Sequence, residues 1–474
     1  MAFQTILPEN FLQEERVVKL TCDSKLFGSE LVHNYIHTFN SVFVDLLGYK
    51  IDNNGEIQYN TDLDTEIIHT QILARMESKC ACSSPNVIIL EPAGTPTQDK
   101  EILCAATMYK EDFNIGEGFL DISGDEAIFR KLIKCCEEWP NLKLLLGQWH
   151  TSKDMLSVLV TLFSSYRIFD LASALSSDRH FRSYQSSVFG TNNLRKYYVY
   201  VGGIRRPTLA LGVRFLDKFE SVVDYRLTRR ILELLWVAVG IALHIYCYKK
   251  KIKFEEIYNG NNEQNVCLKV WFLYYKWMAI WKIHFIGIRV GNYEMRHEEL
   301  SAFSLLFPFA GKNNYSKSVT HHLAILSIYP QLKKKLCLVP FVNLTRKGHF
   351  LVFDKALETF GVKFIKQNIT GNCINEKNLK LQIKTSQEEC KRIDFLLSEY
   401  LDNNNYIRKE RTIDRQKESL WNLITNLLSL SETNSGINHP LFQITKPKQL
   451  NSTELERLEQ CYQKGLEQMK EIFL

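Results

Sequence analysis

Residues 118–155 read GFLDISGDEAIFRKLIKCCEEWPNLKLLLGQWHTSKDM, and this stretch decides the fold class. Phe119, Leu120 and Ile122 form a short apolar run that ends at Gly124-Asp125. Ile128, Phe129, Leu132, Ile133 and Cys136 then fall on one helical face. Pro140 stops that helix, and Leu142, Leu144, Leu145 and Leu146 make a second apolar run too short to be a helix. The order predicts two adjacent parallel strands, 119–122 and 142–146, joined by a helix over 126–138 in a right-handed crossover. Open α/β sheets place their chemistry at the carboxyl ends of such strands, here the position of Asp125, Trp149 and His150. The same residues also have structural explanations. Ser123 and Glu126 fit an S-x-x-E capping box, and an acidic first turn complements the helix dipole, so Asp125 reads equally as a helix-start residue. His150 reads as a half-buried histidine bonded to a backbone carbonyl, and Trp149 as core.

Composition narrows the class. The chain has 474 residues, 45% hydrophobic and 24% charged, which is soluble globular composition with length for about two to four domains. The formal net charge of +6 permits contact with nucleic acid without requiring it. Twelve cysteines lie without a repeating frame, and the close sets Cys80-Ala81-Cys82 and Cys135-Cys136 lack zinc-finger spacing. Reduced thiols fit a nuclear or cytoplasmic compartment, and the first residues lack a secretory pattern. Residues 231–248 are apolar enough to suggest a membrane span, but Glu233, His244 and basic flanks on both sides favour a buried central helix with no membrane anchor.

Along the rest of the chain, residues 42–47 read as a strand centred on Asp45, followed by the Asp52-Asn53-Asn54-Gly55 turn and a strand through Ile57 and Tyr59. Residues 65–78 have helical periodicity; 87–90 and 102–109 read as strands. Beyond His150 the pattern is almost purely helical to about Tyr329, with short Gly/Asn interruptions. Short strands are expected at 338–342 and 349–353, and helices at 354–367 and 379–400. Asp402 to Asn405 reads as a linker, and 408–417 as a solvated basic run. A terminal amphipathic helix carries Leu455, Leu458, Tyr462, Leu466, Met469 and Phe473 and is expected to dock on its own domain.

The motifs Gly147-Gln148-Trp149-His150-Thr151-Ser152-Lys153-Asp154, Val290-Gly291-Asn292-Tyr293, Lys312-Asn313-Asn314-Tyr315 and Phe353-Asp354-Lys355-Ala356-Leu357-Glu358 resemble a fungal family of transposon-derived proteins. The order of Asp125, helix, strand and Gln-Trp-His is similar to the core of cut-and-paste transposases with a ribonuclease H-like fold. The resemblance covers roughly residues 85 to 400. It implies a helix-rich α+β class, in which a ribonuclease H-like mixed sheet is interrupted by a large all-helical insertion. The segments would be an N-terminal part completing the sheet (1–84), the first part of the core (85–150), the helical insertion (151–335), the second part of the core (336–402), and a linker with the terminal helix (403–474).

The resemblance also implies DNA cleavage with magnesium held by carboxylates that converge from separate elements. Asp125 matches the second acid. Asp45 is the preferred first acid, with Asp121 and Glu91 competing. Glu358 is the preferred last acid, with Glu294 and Glu298 as alternatives. Asp125 and Glu358 would hold the metal, and Trp149 and His150 would orient a phosphate or a flipped base edge. Arg205-Arg206, Arg229-Arg230, Lys249 to Lys253 and Lys333 to Lys335 are basic clusters suited to DNA phosphates. His297 and His321-His322 are isolated and are assigned no metal. Phosphate-cradling glycine loops, G-x-S-x-G and H-E-x-x-H do not occur, which disfavours nucleotide-using enzymes and ordinary hydrolases. The expectation is a domesticated, DNA-binding transposase-like protein with a degenerate nuclease site. The alternative is a non-catalytic helical scaffold that engages a protein partner, or a second copy of the chain, through the helical block.

Overall fold

The computed structural model describes residues 2–4, 11, 17–80, 86–88, 98–112, 119–134, 136, 139, 141–166, 168, 171, 225–259, 265–339, 341–342, 350–357, 406–432 and 452–473. The N-terminal part contains β1 (Ala2–Gln4), α1 (Leu31–Leu47), β2 (Lys50–Ile51), β3 (Ile57–Gln58), α2 (Thr65–Ala74), β4 (Asn86–Ile88) and α3 (Asp99–Asp112). β1 pairs antiparallel with β4, and β2 with β3. The β2–β3 turn follows from its residues. The Asp52 carboxylate accepts the amides of Asn54 (2.9 Å) and Glu56 (2.8 Å), and Gly55 supplies φ +80°.

Two expected strands are helices. Residues 42–47 form the last turns of α1, where Val42, Phe43 and Leu47 are buried with Ile36 and Phe39, while Val44 and Asp45 are exposed. That is a helical period, and Gly48 ends the helix in the left-handed region. Residues 102–109 lie inside α3, whose buried Ile102 and Ala106 are four apart. Apolar runs this short satisfy strand and helix patterns alike, and packing decides between them.

The central unit is β5 (Leu120–Gly124), α4 (Glu126–Ile133), β6 (Leu142–Leu146) and α5 (Gln148–Phe163). β5 and β6 are parallel, in register from Leu120 opposite Leu142 to Gly124 opposite Leu146. The strand–helix–strand expectation therefore holds, with α4 ending earlier than anticipated. All of β6 is buried. Its one charged residue, Lys143, is accommodated because its Nζ lies 3.6 Å from the centre of the Phe119 ring and 4.9 Å from that of Tyr329. Among the described residues the strands form three separate two-stranded sheets, so the class is α+β and helix-rich.

Helices supply the rest: α6 (Tyr225–Lys250), α7 (Glu256–Asn259), α8 (Val266–Val290), α9 (Tyr293–Phe303), α10 (Asn313–Ile328), α11 (Pro330–Leu338), α12 (Phe353–Leu357), α13 (Tyr406–Glu432) and α14 (Ser452–Phe473). The most apolar window of α6 is 89% buried inside the protein. Trp236 of α6 stacks on Tyr275 of α8 at 5.5 Å and donates Nε1–H to the Tyr275 carbonyl. Gly240 allows this close packing, because a Cβ there would lie 2.8 Å from the Tyr275 ring and 2.9 Å from Phe43. The expected strands at 338–342 and 349–353 reduce to a single antiparallel bridge, Val342 to Leu351, since Leu338 completes α11. The basic run 408–417 belongs to α13. The expected helix at 379–400 and the linker 402–405 lie outside the described residues.

α14 docks on its own chain through Leu455, Leu458, Cys461, Gly465 and Met469. This stripe is rotated slightly from the expected one because Gly465 sits directly on the Leu305 carbonyl, where any Cβ would overlap backbone.

Candidate functional site

The carboxyl ends of β5 and β6 meet at a close backbone contact, Gly147 N–H to the Gly124 carbonyl at 2.6 Å. Asp125 leaves β5 there and caps α4, its Oδ1 accepting the Ile128 amide at 2.9 Å. The cap is thus Asp125 and not the Ser123 box. Glu126 accepts from Arg130 Nε (3.1 Å) and from Ser318 Oγ on α10 (3.2 Å).

β6 runs through Gly147 into α5. The residue at this helix start carries no side chain, so the exposed amides of the first turn need an acceptor from elsewhere. Asp354, at the start of α12 and about two hundred residues downstream, supplies it. Its Oδ2 accepts from the Trp149 amide at 2.8 Å and the His150 amide at 3.4 Å. A Cβ on residue 147 would stand 2.8 Å from Asp354 Oδ2 and 2.7 Å from the Gly124 oxygen, so the glycine and the distant aspartate form one cap in two pieces. Burial raises the Asp354 carboxyl above the ordinary aspartate range, opposed by the amides of Trp149, His150 and Gln148 and by the nearby His150 ring. Trp149 is half-buried, with Lys355 Nζ 4.0 Å above its ring and His150 edge-on at 4.6 Å.

The other candidate residues are placed as follows. Asp45, expected on a strand, is on α1 with its side chain 61% exposed, paired to Arg75 Nη2 at 2.7 Å. Asp121 pairs with Lys335 at 2.6 Å, Glu294 with Lys79, and Glu298 with His297 at 3.2 Å. Glu358, Glu91, Arg205 and Arg206 lie outside the described residues. Arg229 pairs with Glu233 at 3.4 Å and lies 4.6 Å from the centre of the Phe285 ring, while Arg230 is exposed. The structure therefore gathers Asp125, Trp149, His150 and Asp354 at one end of the β5–β6 pair and leaves Asp45 in a different setting.

Asp354 is the residue the sequence reading passed over. It stands in the quoted motif, but its neighbour Glu358 was preferred as the last acid. The available signal was a glycine at a helix start where a capping side chain is usual.

At this end of the β5–β6 pair, Asp125 and Asp354 are both engaged by backbone amides. Magnesium keeps several of its waters and takes one or two carboxylates in octahedral array. One oxygen of Asp125 already holds the α4 amide, and Asp354 is buried against the α5 amides with its proton affinity increased. Among the described residues, no three His, Cys, Asp or Glu side chains come together as ligands. No family model, curated protein or solved structure matches this chain.

Proposed function

We propose that this protein is a domesticated, transposase-derived protein of the nucleus or cytoplasm. In this reading it binds nucleic acid through backbone phosphates, and the acids of a former ribonuclease H-like centre serve structural roles. The observation that carries the reading is the cap made by Asp354 on α5. It ties the segment after the helical block to the strand–helix–strand unit before it, as a core interrupted by an insertion requires. The same contact engages Asp354, an acid of the quoted motif, in hydrogen bonds to backbone amides. Asp125 serves α4 in the same way, and Asp45 serves an exposed ion pair.

Support for phosphate binding comes from exposed cations. Lys249, Lys250, Lys251 and Lys253 cluster at the carboxyl end of α6, beside the exposed Lys50 brought close by the Tyr49–Tyr248 stack at 4.0 Å. Such a cluster contacts phosphates by counterion release and reads no base sequence.

The test combines two assays on the full chain. Binding to mixed-sequence DNA should weaken steeply between low and physiological salt, and Lys249→Ala/Lys251→Ala/Lys253→Ala should flatten that dependence. Magnesium should produce no nicking of the bound DNA. Magnesium-dependent nicking that disappears in Asp125→Ala would overturn the structural role of the acids. No DNA binding even at low salt would favour a protein-binding scaffold.

A further inference from the structure

Beneath the Asp354 cap, β6, α9, α10 and α12 enclose a cavity of about 20 Å³. That is room for one oxygen atom. Its wall includes Gln148, Arg296 and His322, which are 4%, 5% and 1% exposed. Each of these wall residues carries a buried polar atom without a hydrogen-bond partner among the described residues: Oε1 of Gln148, Nε of Arg296 and Nε2 of His322. The exposed Ser123 also lines it, so the cavity reaches the surface there.

The hydrogen-bond roles follow from the neighbours. The Leu146 amide donates to His322 Nδ1 at 3.3 Å, so that nitrogen carries a lone pair. Burial holds the ring neutral, which places its single proton on Nε2, pointing inward. Gln148 Nε2 donates to the Leu146 carbonyl at 2.5 Å, which fixes the amide and leaves Oε1 as an acceptor facing the cavity. Arg296 is a permanent cation stacked on Tyr293 at 4.6 Å, and among the described residues no carboxylate forms an ion pair with it. The carboxylates that act on it electrostatically are engaged elsewhere, Glu299 with His284 Nδ1 at 2.8 Å and Asp354 with the α5 amides. Burial raises both carboxyls, which weakens them as counter-charges to Arg296.

We propose that this cavity is a phosphate site, taking one P–O(H) oxygen of a monoanionic phosphate group with the remainder directed toward Ser123. The seated oxygen accepts from Arg296 and His322 and donates its O–H hydrogen bond to Gln148 Oε1. A water molecule would match the hydrogen bonds but not the buried charge, and an unpaired buried cation is costly. This assignment does not depend on a transposase origin.

The test is calorimetric titration of the full chain with inorganic phosphate, against chloride at matched ionic strength. One saturable phosphate per chain is expected. Arg296→Met replaces the cation with an apolar side chain of similar length and should weaken binding about tenfold or more. Ser123→Phe changes only the exposed mouth and should abolish binding with the fold intact, so it decides the matter even if the Arg296 variant does not fold. Phosphate binding no better than chloride would mean the cavity holds water only. Full binding retained in Ser123→Phe would place the anion on surface lysines. Either result overturns the proposal.

Discussion

The α6–α8 block and the seam at the ends of β5 and β6 are held together in different ways. In the block, Trp236, Tyr274, Tyr275 and Trp281 are fully buried, and its polar groups, the Lys282–Glu233 pair between α8 and α6 among them, are set in an apolar core. His244 is typical: its Nδ1 bonds the Gly240 carbonyl one turn earlier at 2.7 Å, and its ring stacks on Phe43 and Phe254. Cohesion there comes from apolar area, at about 25 cal/mol per Å² removed from water. The seam is smaller and polar, built from contacts between residues far apart in sequence: Trp149 with Asp354, Leu146 with His322, Ser318 with Glu126. Area-based cohesion tolerates the loss of any one contact, whereas a polar seam concentrates its stability in a few acceptors whose removal leaves buried amides unpaired.

The largest expected effect is a loss of stability on acidification. Burial lowers His69 to about 3 and His244 to about 4, from 6.5. The folded state therefore binds fewer protons than the unfolded chain between those values and 6.5, so stability rises with pH in that window and falls on acidification. Each of these two histidines accounts for a loss of about 2 kcal/mol by pH 5, and His322 of the seam, which burial also holds well below 6.5, adds to the fall. Within the His284–Glu299 pair the histidine is lowered and the glutamate raised, so their contributions oppose and largely cancel. Urea unfolding at pH 7 and pH 5 should show the loss, and His244→Phe, which keeps the ring stack, should remove about 2 kcal/mol of it. An unchanged pH dependence in that variant would contradict the buried neutral histidine.

Next in size is Gly465→Ala, which drives a methyl group into the Leu305 carbonyl and should cost about 3 kcal/mol by displacing α14. Protease sensitivity confined to α14 would identify that helix as the element released. In the seam, Gly147→Ala pushes against both the Gly124 oxygen and Asp354, and should cost about 2 kcal/mol. If the loss is additive with that of Asp354→Ala, the two residues do not form one cap.

The block was legible in the sequence because a long apolar helix announces its own burial. The apolar run of α6, broken by Glu233 and His244, reads as a core helix, and it is one. The β5–α4–β6 unit was legible for the same reason, since local periodicity and Pro140 suffice. Residues 42–47 misled because six residues hold too little periodicity to separate strand from helix, and Phe43 faces Trp236 of a helix almost two hundred residues away. Asp354 and Arg296 were not legible as site residues. Their importance comes from an amide or a cavity supplied by another segment, and no local pattern records that.

The central claim, that Asp354 is a structural acceptor for α5, is tested most directly by urea unfolding of Asp354→Ala and Asp354→Asn with and without magnesium. Asparagine keeps an oxygen for the amides but abolishes the carboxylate a metal would need. The account predicts a loss of about 2 kcal/mol for alanine, about half or less for asparagine, and no effect of magnesium on any of the three proteins. Magnesium stabilising the native protein, with that stabilisation lost equally in both variants, would contradict it.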